Sequence, residues 1–328
     1  MPINTLKNEL KNEFTGYWSY LAIQSACKIN LFDIIEEQEA TIESICHKTN
    51  SKISITKYLL NFLVERSYLT KNKAHYYALT NKGSLLTEKH SSSLKYACML
   101  WGEEHLFSWQ QLPHTLTTGE SAFEYLYGKS FFNYLRDKPE KLHEYHKAMN
   151  EYARDDYSTI TKAHDFSIHK SIMDVGGSLG TLIQNIANAN PHVESFLFDK
   201  PELSNFIKED HFSAFFGDFF KSIPAVAEAI IMSRVIHDWD DEKALDILKN
   251  CHKAIPSNGT LYLVENLTDQ IDNKASLLSL NMHLVTKSFE RSLTEYKKLL
   301  GKAEFKIVET KRINSNQHLL IAKKQYGL

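Results

Sequence analysis

Residues 171–199 read SIMDVGGSLGTLIQNIANANPHVESFLFD. A short apolar run leads into Gly176 and Gly177, and Leu182, Ile183 and Ile186 then recur at helical spacing before a second apolar run closes on Asp199. Strand, glycine turn, helix, strand is the pattern of a βαβ unit, whose two strands lie parallel in one sheet. The same pattern continues downstream. AEAIIMS (227–233) predicts a strand, EKALDILKNCHKAI (242–255) a helix and TLYLVEN (260–266) a strand after a Pro-Ser-Asn-Gly turn. PELSNFIKED (201–210) is expected to be helical, and FKIVETKRINSNQHLLIAKK (305–324) to form a hairpin at the sheet's edge. The fold class that follows is α/β with a doubly wound, Rossmann-like parallel sheet over residues 166–328.

Upstream of residue 165 the texture is helical. YLAIQSACKINLFDII (20–35), SITKYLLNFLVERSYL (54–69) and FFNYLRDKPEKLHEYHKAM (131–149) each place apolar residues at three- and four-residue spacing. TKNKAHYYALTNKGSLL (70–86) has the aromatic content and turn residues of a β-hairpin. Helices followed by a small hairpin predict a winged-helix-like module around residues 20–90, within a mostly helical domain spanning 1–165.

The 328 residues suffice for two such domains, each with its own core. A formal charge of −2 gives no electrostatic footprint for nucleic acid or an acidic membrane surface. No apolar run approaches the ~20 residues of a membrane helix, and the N-terminus lacks the layout of a signal peptide. Cys27, Cys46, Cys98 and Cys251 are scattered without a CxxC pair, which favours reduced thiols and a cytoplasmic protein.

Three segments place polar groups where a parallel sheet binds ligands, over the carboxyl ends of its strands. The turn Gly176-Gly177 into a helix favours close backbone approach of a polar group, although its spacing departs from the dinucleotide fingerprint. Asp199, 25 positions after Asp174, sits where an acid accepts both hydroxyls of a ribose. Gly217-Asp218-Phe219 supplies a turn, an acceptor for an adenine amino group and an aromatic face. Taken singly each is an ordinary turn or cap; together they form a nucleoside pocket. The next strand ends in RVIHDWDD (234–241), which sets His237 against three aspartates. Asp240 or Asp241 suits the N-cap of the following helix, and the spacing matches no metal-ligand box, so no metal is expected. His143, His146, His164 and His169 are expected to be solvated or packing residues, and Trp101, Phe107 and Trp109 to pack or to line a flat pocket.

DVGGSLG (174–180), FDKPEL (198–203), GDFF (217–220) and RVIHDW (234–239), in that order, resemble the hallmark blocks of class II, plant- and hydroxyindole-type O-methyltransferases. VENL (264–267), SLNMHL (279–284) and ERSLTEYKKLL (290–300) are similar to the family's closing blocks, and residues 126–149 to the segment joining its two domains. The resemblance covers nearly the whole chain and points to the family's bacterial small-molecule branch. It implies S-adenosyl-L-methionine as cofactor, with S-adenosyl-L-homocysteine as product. It also implies an N-terminal dimerisation and substrate-pocket domain, hence a homodimer, and a methyltransferase domain after it. Carried over by position, it assigns Gly176, Asp199, Gly217, Asp218, Phe219 and Arg234 to the cofactor. His237 matches the general base, Glu265 and Glu290 the acids that orient it, and Met149, Asp238 and Asn281 the substrate side. Three departures stand out: Ser178 for the loop's middle glycine, followed by Leu179; Lys287-Ser288 for a Gly-Gly pair; and Ala303-Glu304-Phe305 for Ala-Gly-Phe.

The chemistry so implied is methyl transfer to a small phenolic hydroxyl, aided by a base because a phenol near pKa 10 is neutral at pH 7. An unperturbed histidine is largely neutral there and accepts a proton. The same fold also serves N-methylation of an aromatic ring nitrogen of the phenazine type. From a different class, a winged-helix regulator with a nucleoside sensor would need a recognition helix dense in arginine, which residues 20–90 lack.

Overall fold

The computed structural model describes residues 1–207, 211–270 and 275–325, and it divides into two compact units, Met1–Leu106 and Phe107–Leu328. In the first unit, helices Ile3–Lys28, Leu31–Glu37, Ile42–Thr49 and Ile53–Glu65 precede a hairpin of β1 (Leu69–Lys71) and β2 (Tyr77–Leu79). This is the expected winged-helix-like arrangement. The helix foreseen over 20–35 is interrupted, because Asn30 adopts a left-handed conformation (φ 55°) and turns the chain. Asparagine tolerates that conformation better than other residues with a Cβ. Thr41 caps the third helix by accepting the Ser44 N–H. Leu31, Phe32, Ile45, Leu60, Leu63, Leu69 and Tyr77 form the core. The buried Lys95 ammonium donates to Asn30 Oδ1 and Asp33 Oδ2, both at 2.8 Å, which compensates its removal from water. On the first helix Leu6, Leu10, Phe14, Tyr17 and Trp18 are exposed at helical spacing.

The second unit opens with short helices Leu112–Thr118, Ala122–Tyr127 and Phe131–Arg136 and the long helix Pro139–Asp156. One helix was foreseen over 131–149, but Lys138 precedes a proline and is driven out of the α region; Pro139 then starts a new helix at its first position. The helical stretch from Phe107 to Ala163 therefore shares a compact unit with the sheet that Ser171 opens.

Among the described residues, seven strands form that sheet: β3 (Ser171–Val175), β4 (Glu194–Asp199), β5 (Ser213–Phe216), β6 (Ala229–Ser233), β7 (Thr260–Asn266), β8 (Phe305–Arg312) and β9 (Gln317–Lys324). Their order is β5-β4-β3-β6-β7-β9-β8, parallel except for β9, which runs antiparallel to both β7 and β8. The C-terminal hairpin thus closes one edge, as its sequence predicts. Alternate residues serve opposite faces. Met173, Val175, Ile230 and Met232 pack with helices Asp241–Ala254 and Leu293–Lys302, while Ile172, Ala229, Ile231 and Tyr262 pack with helix Thr181–Ala189. After Asp199 the expected helix over 201–210 is limited to one 3-10 turn, Pro201–Leu203, and residues 208–210 lie outside the described residues. Winding runs outward from β3 in both directions, so the crevice between β3 and β6 is the switch point at which such sheets bind ligands.

Candidate active site

The carboxyl ends of β3, β4 and β5 build one half of the site. Gly176 follows β3 with φ 78°, and a Cβ there would lie 2.8 Å from Val235 Cγ2, so only glycine fits. Its N–H donates to the Phe198 carbonyl at 2.8 Å. Asp199 ends β4 and accepts two backbone N–H groups, from Ser178 into Oδ2 and from Lys200 into Oδ1, both at 2.7 Å. Burial raises its carboxyl to about 6, and those two N–H groups oppose the rise. Gly217 N–H donates to the Asp199 carbonyl at 2.9 Å, tying the third turn to the second, and Asp218 caps its own turn by accepting the Phe220 N–H. Phe219 is less open than its sequence suggests: it is a core ring, edge-on to Phe220 and Trp239 at 4.9 and 6.1 Å. Asp174 is fully buried beneath the glycine turn, and burial together with Asp199 raises it to about 8.

The ends of β6 and β7 build the other half. Arg234 takes a left-handed φ of 52°, donates its N–H to Val264 and pairs with Asp156, at the end of the long helix, at 3.3 Å. A 3-10 turn, Ile236–Asp238, then carries His237, which is 3% exposed. His237 Nδ1–H donates to Glu290 Oε1 at 3.0 Å, and Nε2 lies 3.6 Å from Asp238 Oδ1. Glu265, on β7 and fully buried, accepts the Ile236 N–H at 3.2 Å. Burial alone would lower the imidazole's pKa, but Glu290, Asp238 and Glu265 outweigh it and raise the ring to about 9. The ring is thus held above the ordinary histidine value, because the three carboxyl groups around it favour its cation. Glu290 responds in the opposite sense: burial would raise it, yet its contact with His237 holds it below the ordinary glutamate value. Glu265, which makes no hydrogen bond to His237, is raised by burial to about 7 although the nearby ring opposes the rise.

His237, Glu265 and Glu290 each offer one atom within 4.8 Å of the others, the geometry of a potential cation site among the described residues. Asn281, 8% exposed on helix Ala275–Thr286, accepts the Trp109 indole N–H at 2.9 Å, while Met149 is half-buried on the long helix. Asn281 and Trp109 are thus a pair.

Several residues that hold the site carry no motif. Asn266 donates to Glu290 Oε1 at 3.0 Å, beside the histidine bond. Ser288, fully buried, donates to the His237 carbonyl at 2.5 Å. Arg291, 1% exposed, donates to the carbonyls of Ile236 and Trp239 and to Asp241, fixing the turn that carries His237. Asp240 caps the following helix by accepting the Lys243 N–H, as the sequence predicts. His146, expected to pack or face solvent, instead lies with Nδ1 2.6 Å from Ser178 Oγ. The departures from glycine share one property. Ser178, Lys287 and Glu304 all have left-handed φ, at 56°, 60° and 59°. Each side chain there costs roughly 1–2 kcal/mol that glycine would not.

The cradle fits a nucleoside cofactor. The glycine turn after β3, the acid at the end of β4 and the turn after β5 stand at the carboxyl ends of three adjacent strands, where backbone N–H groups and a carboxylate can meet a ribose and its base.

Two family models match the chain: an O-methyltransferase domain over residues 109–306 and an O-methyltransferase dimerisation domain over residues 12–89. Similar proteins include phenazine O-methyltransferase PhzM of Lysobacter antibioticus, 29% identical over 310 residues that cover 92% of this chain and 91% of that protein. (RS)-norcoclaurine 6-O-methyltransferase of Coptis japonica is 33% identical over 67% of this chain and 66% of its own length. Among solved structures, that of LaPhzM superposes with a TM-score of 0.92 at 28% identity, covering 97% of this chain and 99% of that one. Human N-acetylserotonin methyltransferase in complex with SAM shares the fold, with a TM-score of 0.90 at 23% identity over 98% of both chains.

Proposed function

The chain belongs to the O-methyltransferase family, and from that premise we propose that it methylates the hydroxyl of a small aromatic compound, with His237 as general base. The methyl donor is S-adenosyl-L-methionine, which when bound supplies an electrophilic methyl on a cationic sulfonium. Gly176, Asp199 and the Gly217-Asp218-Phe219 turn hold the donor, and Arg234 borders it. Met149, Asp238 and Asn281 face the acceptor.

The observation that carries this proposal is the buried His237–Glu290 pair, 3.0 Å apart, one turn beyond the strand-end crevice. Nδ1–H is committed to Glu290, which leaves Nε2 as the basic nitrogen. A carboxylate on Nδ1 fixes the tautomer and stabilises the imidazolium that forms on proton transfer. With its conjugate acid at about 9, His237 nearly matches a phenol near 10, so the proton moves almost without cost once the ring is neutral. Its carboxylates thereby trade abundance of the neutral ring for basicity, and turnover rises with pH.

The protein works as a homodimer in this account, with residues 1–165 forming the dimerisation and substrate-pocket domain and residues 166–328 the methyltransferase domain. The dimerisation-domain match and the exposed apolar row from Leu6 to Trp18 support the homodimer. No helix among the described residues is long and apolar enough to cross a membrane. The scattered free cysteines favour the cytoplasm.

A labelled-methyl screen of purified protein against aromatic hydroxyls and aromatic ring nitrogens tests the proposal. Label on phenolic oxygen is the expected product. Label on ring nitrogen alone would replace the proposal with N-methylation.

A further inference from the structure

The glycine turn that leads from β3 into helix Thr181–Ala189 contains a residue that does not suit its own backbone. Ser178 holds φ 56°, a conformation that glycine adopts without penalty and serine does not. A side chain persists in such a conformation when its surroundings over-determine it. Two bonds do so here. The Ser178 N–H donates to Asp199 Oδ2 at 2.7 Å, and the Ser178 hydroxyl lies 2.6 Å from His146 Nδ1.

His146 belongs to helix Pro139–Asp156, which reaches the same turn a second time, where Thr181 Oγ1 donates to Asn150 Oδ1. It reaches the site a third time through Asp156, which pairs with Arg234. Positions 146 and 150 are one helical turn apart, so one face of the helix carries both bonds to the turn. The imidazole is neutral at working pH, because burial, with Lys200 and His143 nearby, lowers it to about 4. A neutral ring shares a hydrogen bond with a hydroxyl and brings no charge into the crevice.

We propose that His146 is a positioning residue for the cofactor: by clamping the Ser178 hydroxyl it holds the 176–180 turn in the left-handed shape that keeps Asp199 aligned. In a loop with glycine at this position the backbone takes that shape unaided. Here the shape depends on the long helix, so the grip on the cofactor is coupled to the seating of residues 139–156. The proposal rests on assigning the turn and Asp199 to S-adenosyl-L-methionine, and the test separates the two claims.

Calorimetric affinity for S-adenosyl-L-homocysteine is measured on the full chain for the wild type, His146→Ala, Ser178→Gly, the double variant and Asp199→Ala. His146→Ala weakens binding about tenfold, the scale of one strained residue released. Adding Ser178→Gly to His146→Ala restores affinity to within about threefold of the wild type, since glycine needs no clamp. The rate at saturating cofactor changes far less than KM for the cofactor. A ring lost merely from packing would not be rescued by a glycine 32 positions away. Unchanged affinity in His146→Ala, or a double variant no tighter than it, overturns the proposal. Asp199→Ala reports on the underlying assignment: it should lose at least about a hundredfold in affinity, and wild-type binding there would overturn the cofactor site itself. His146→Phe fills the ring's space without a nitrogen and makes the same comparison in a fold-preserving background.

Discussion

His237 illustrates how far a residue's chemistry depends on groups distant in sequence. Its position at the end of an apolar strand, with aspartates after it, was legible. Its pKa of about 9 was not, because that value arises where carboxylates from positions 238, 265 and 290 converge. The consequence is measurable. Turnover should rise with pH through an apparent pKa well above the ordinary histidine value of about 6.5. Glu290→Gln removes the largest stabiliser of the imidazolium, so it should move that midpoint to lower pH while cutting the maximal rate; a midpoint that stays put would dissociate the glutamate from the base. Stability follows the same group. A pKa raised on folding contributes fully below about 6.5 and is lost as pH rises towards about 9. Thermal unfolding should therefore show a loss of stability between those pH values that His237→Gln reduces, the remainder coming from the buried Asp174 and Glu265, whose carboxyls are raised to about 8 and about 7.

At the scale of the element, the turn Ile236–Asp238 is too short to hold its shape alone and borrows it from the segment before helix Leu293–Lys302. Arg291 satisfies the Ile236 carbonyl, the Trp239 carbonyl just after the turn and Asp241, and Ser288 the His237 carbonyl. Arg291→Met fills much of the same volume without donors, leaving buried carbonyls unpaired. It should cost about 3 kcal/mol in denaturant unfolding and reduce turnover; a loss below about 0.5 kcal/mol would show that the turn stands without it. These contacts are invisible in sequence because nothing local marks an arginine as the support of a turn 55 residues earlier. Local signals fared better. The strands β3, β4, β6 and β7 and the C-terminal hairpin were all predicted, since period, length and turn residues agree there. The misread helices failed for local reasons too, with Asn30 left-handed and Lys138 displaced by Pro139. Glycine-specific geometry survives without glycine at Ser178, Lys287 and Glu304, so backbone shape outlasts the residue that usually marks it.

For the whole molecule, the sheet's winding order decides where chemistry occurs, because both halves of the site arise at strand ends on either side of β3 and β6. That much follows from alternation of strands and helices. Assembly does not, since the exposed row Leu6, Leu10, Phe14, Tyr17 and Trp18 is recognisable only once the first helix shows which side is left uncovered. An apolar row of this kind marks an interaction face. Phe14→Asp combined with Trp18→Glu should convert a dimer to a monomer in light scattering, and a wild-type monomer would contradict the assembly. Substrate choice is the least legible property, because a fold shared with relatives acting on different aromatic compounds fixes the reaction more firmly than the acceptor.

The central claim is that His237 takes the acceptor's proton. Single-turnover methyl transfer to an aromatic hydroxyl by His237→Gln, paired with calorimetric affinity for S-adenosyl-L-homocysteine, tests it most directly. The expected result is a rate lower by about 10²–10⁴-fold with cofactor affinity within about threefold of the wild type. A rate equal to the wild type's would contradict it.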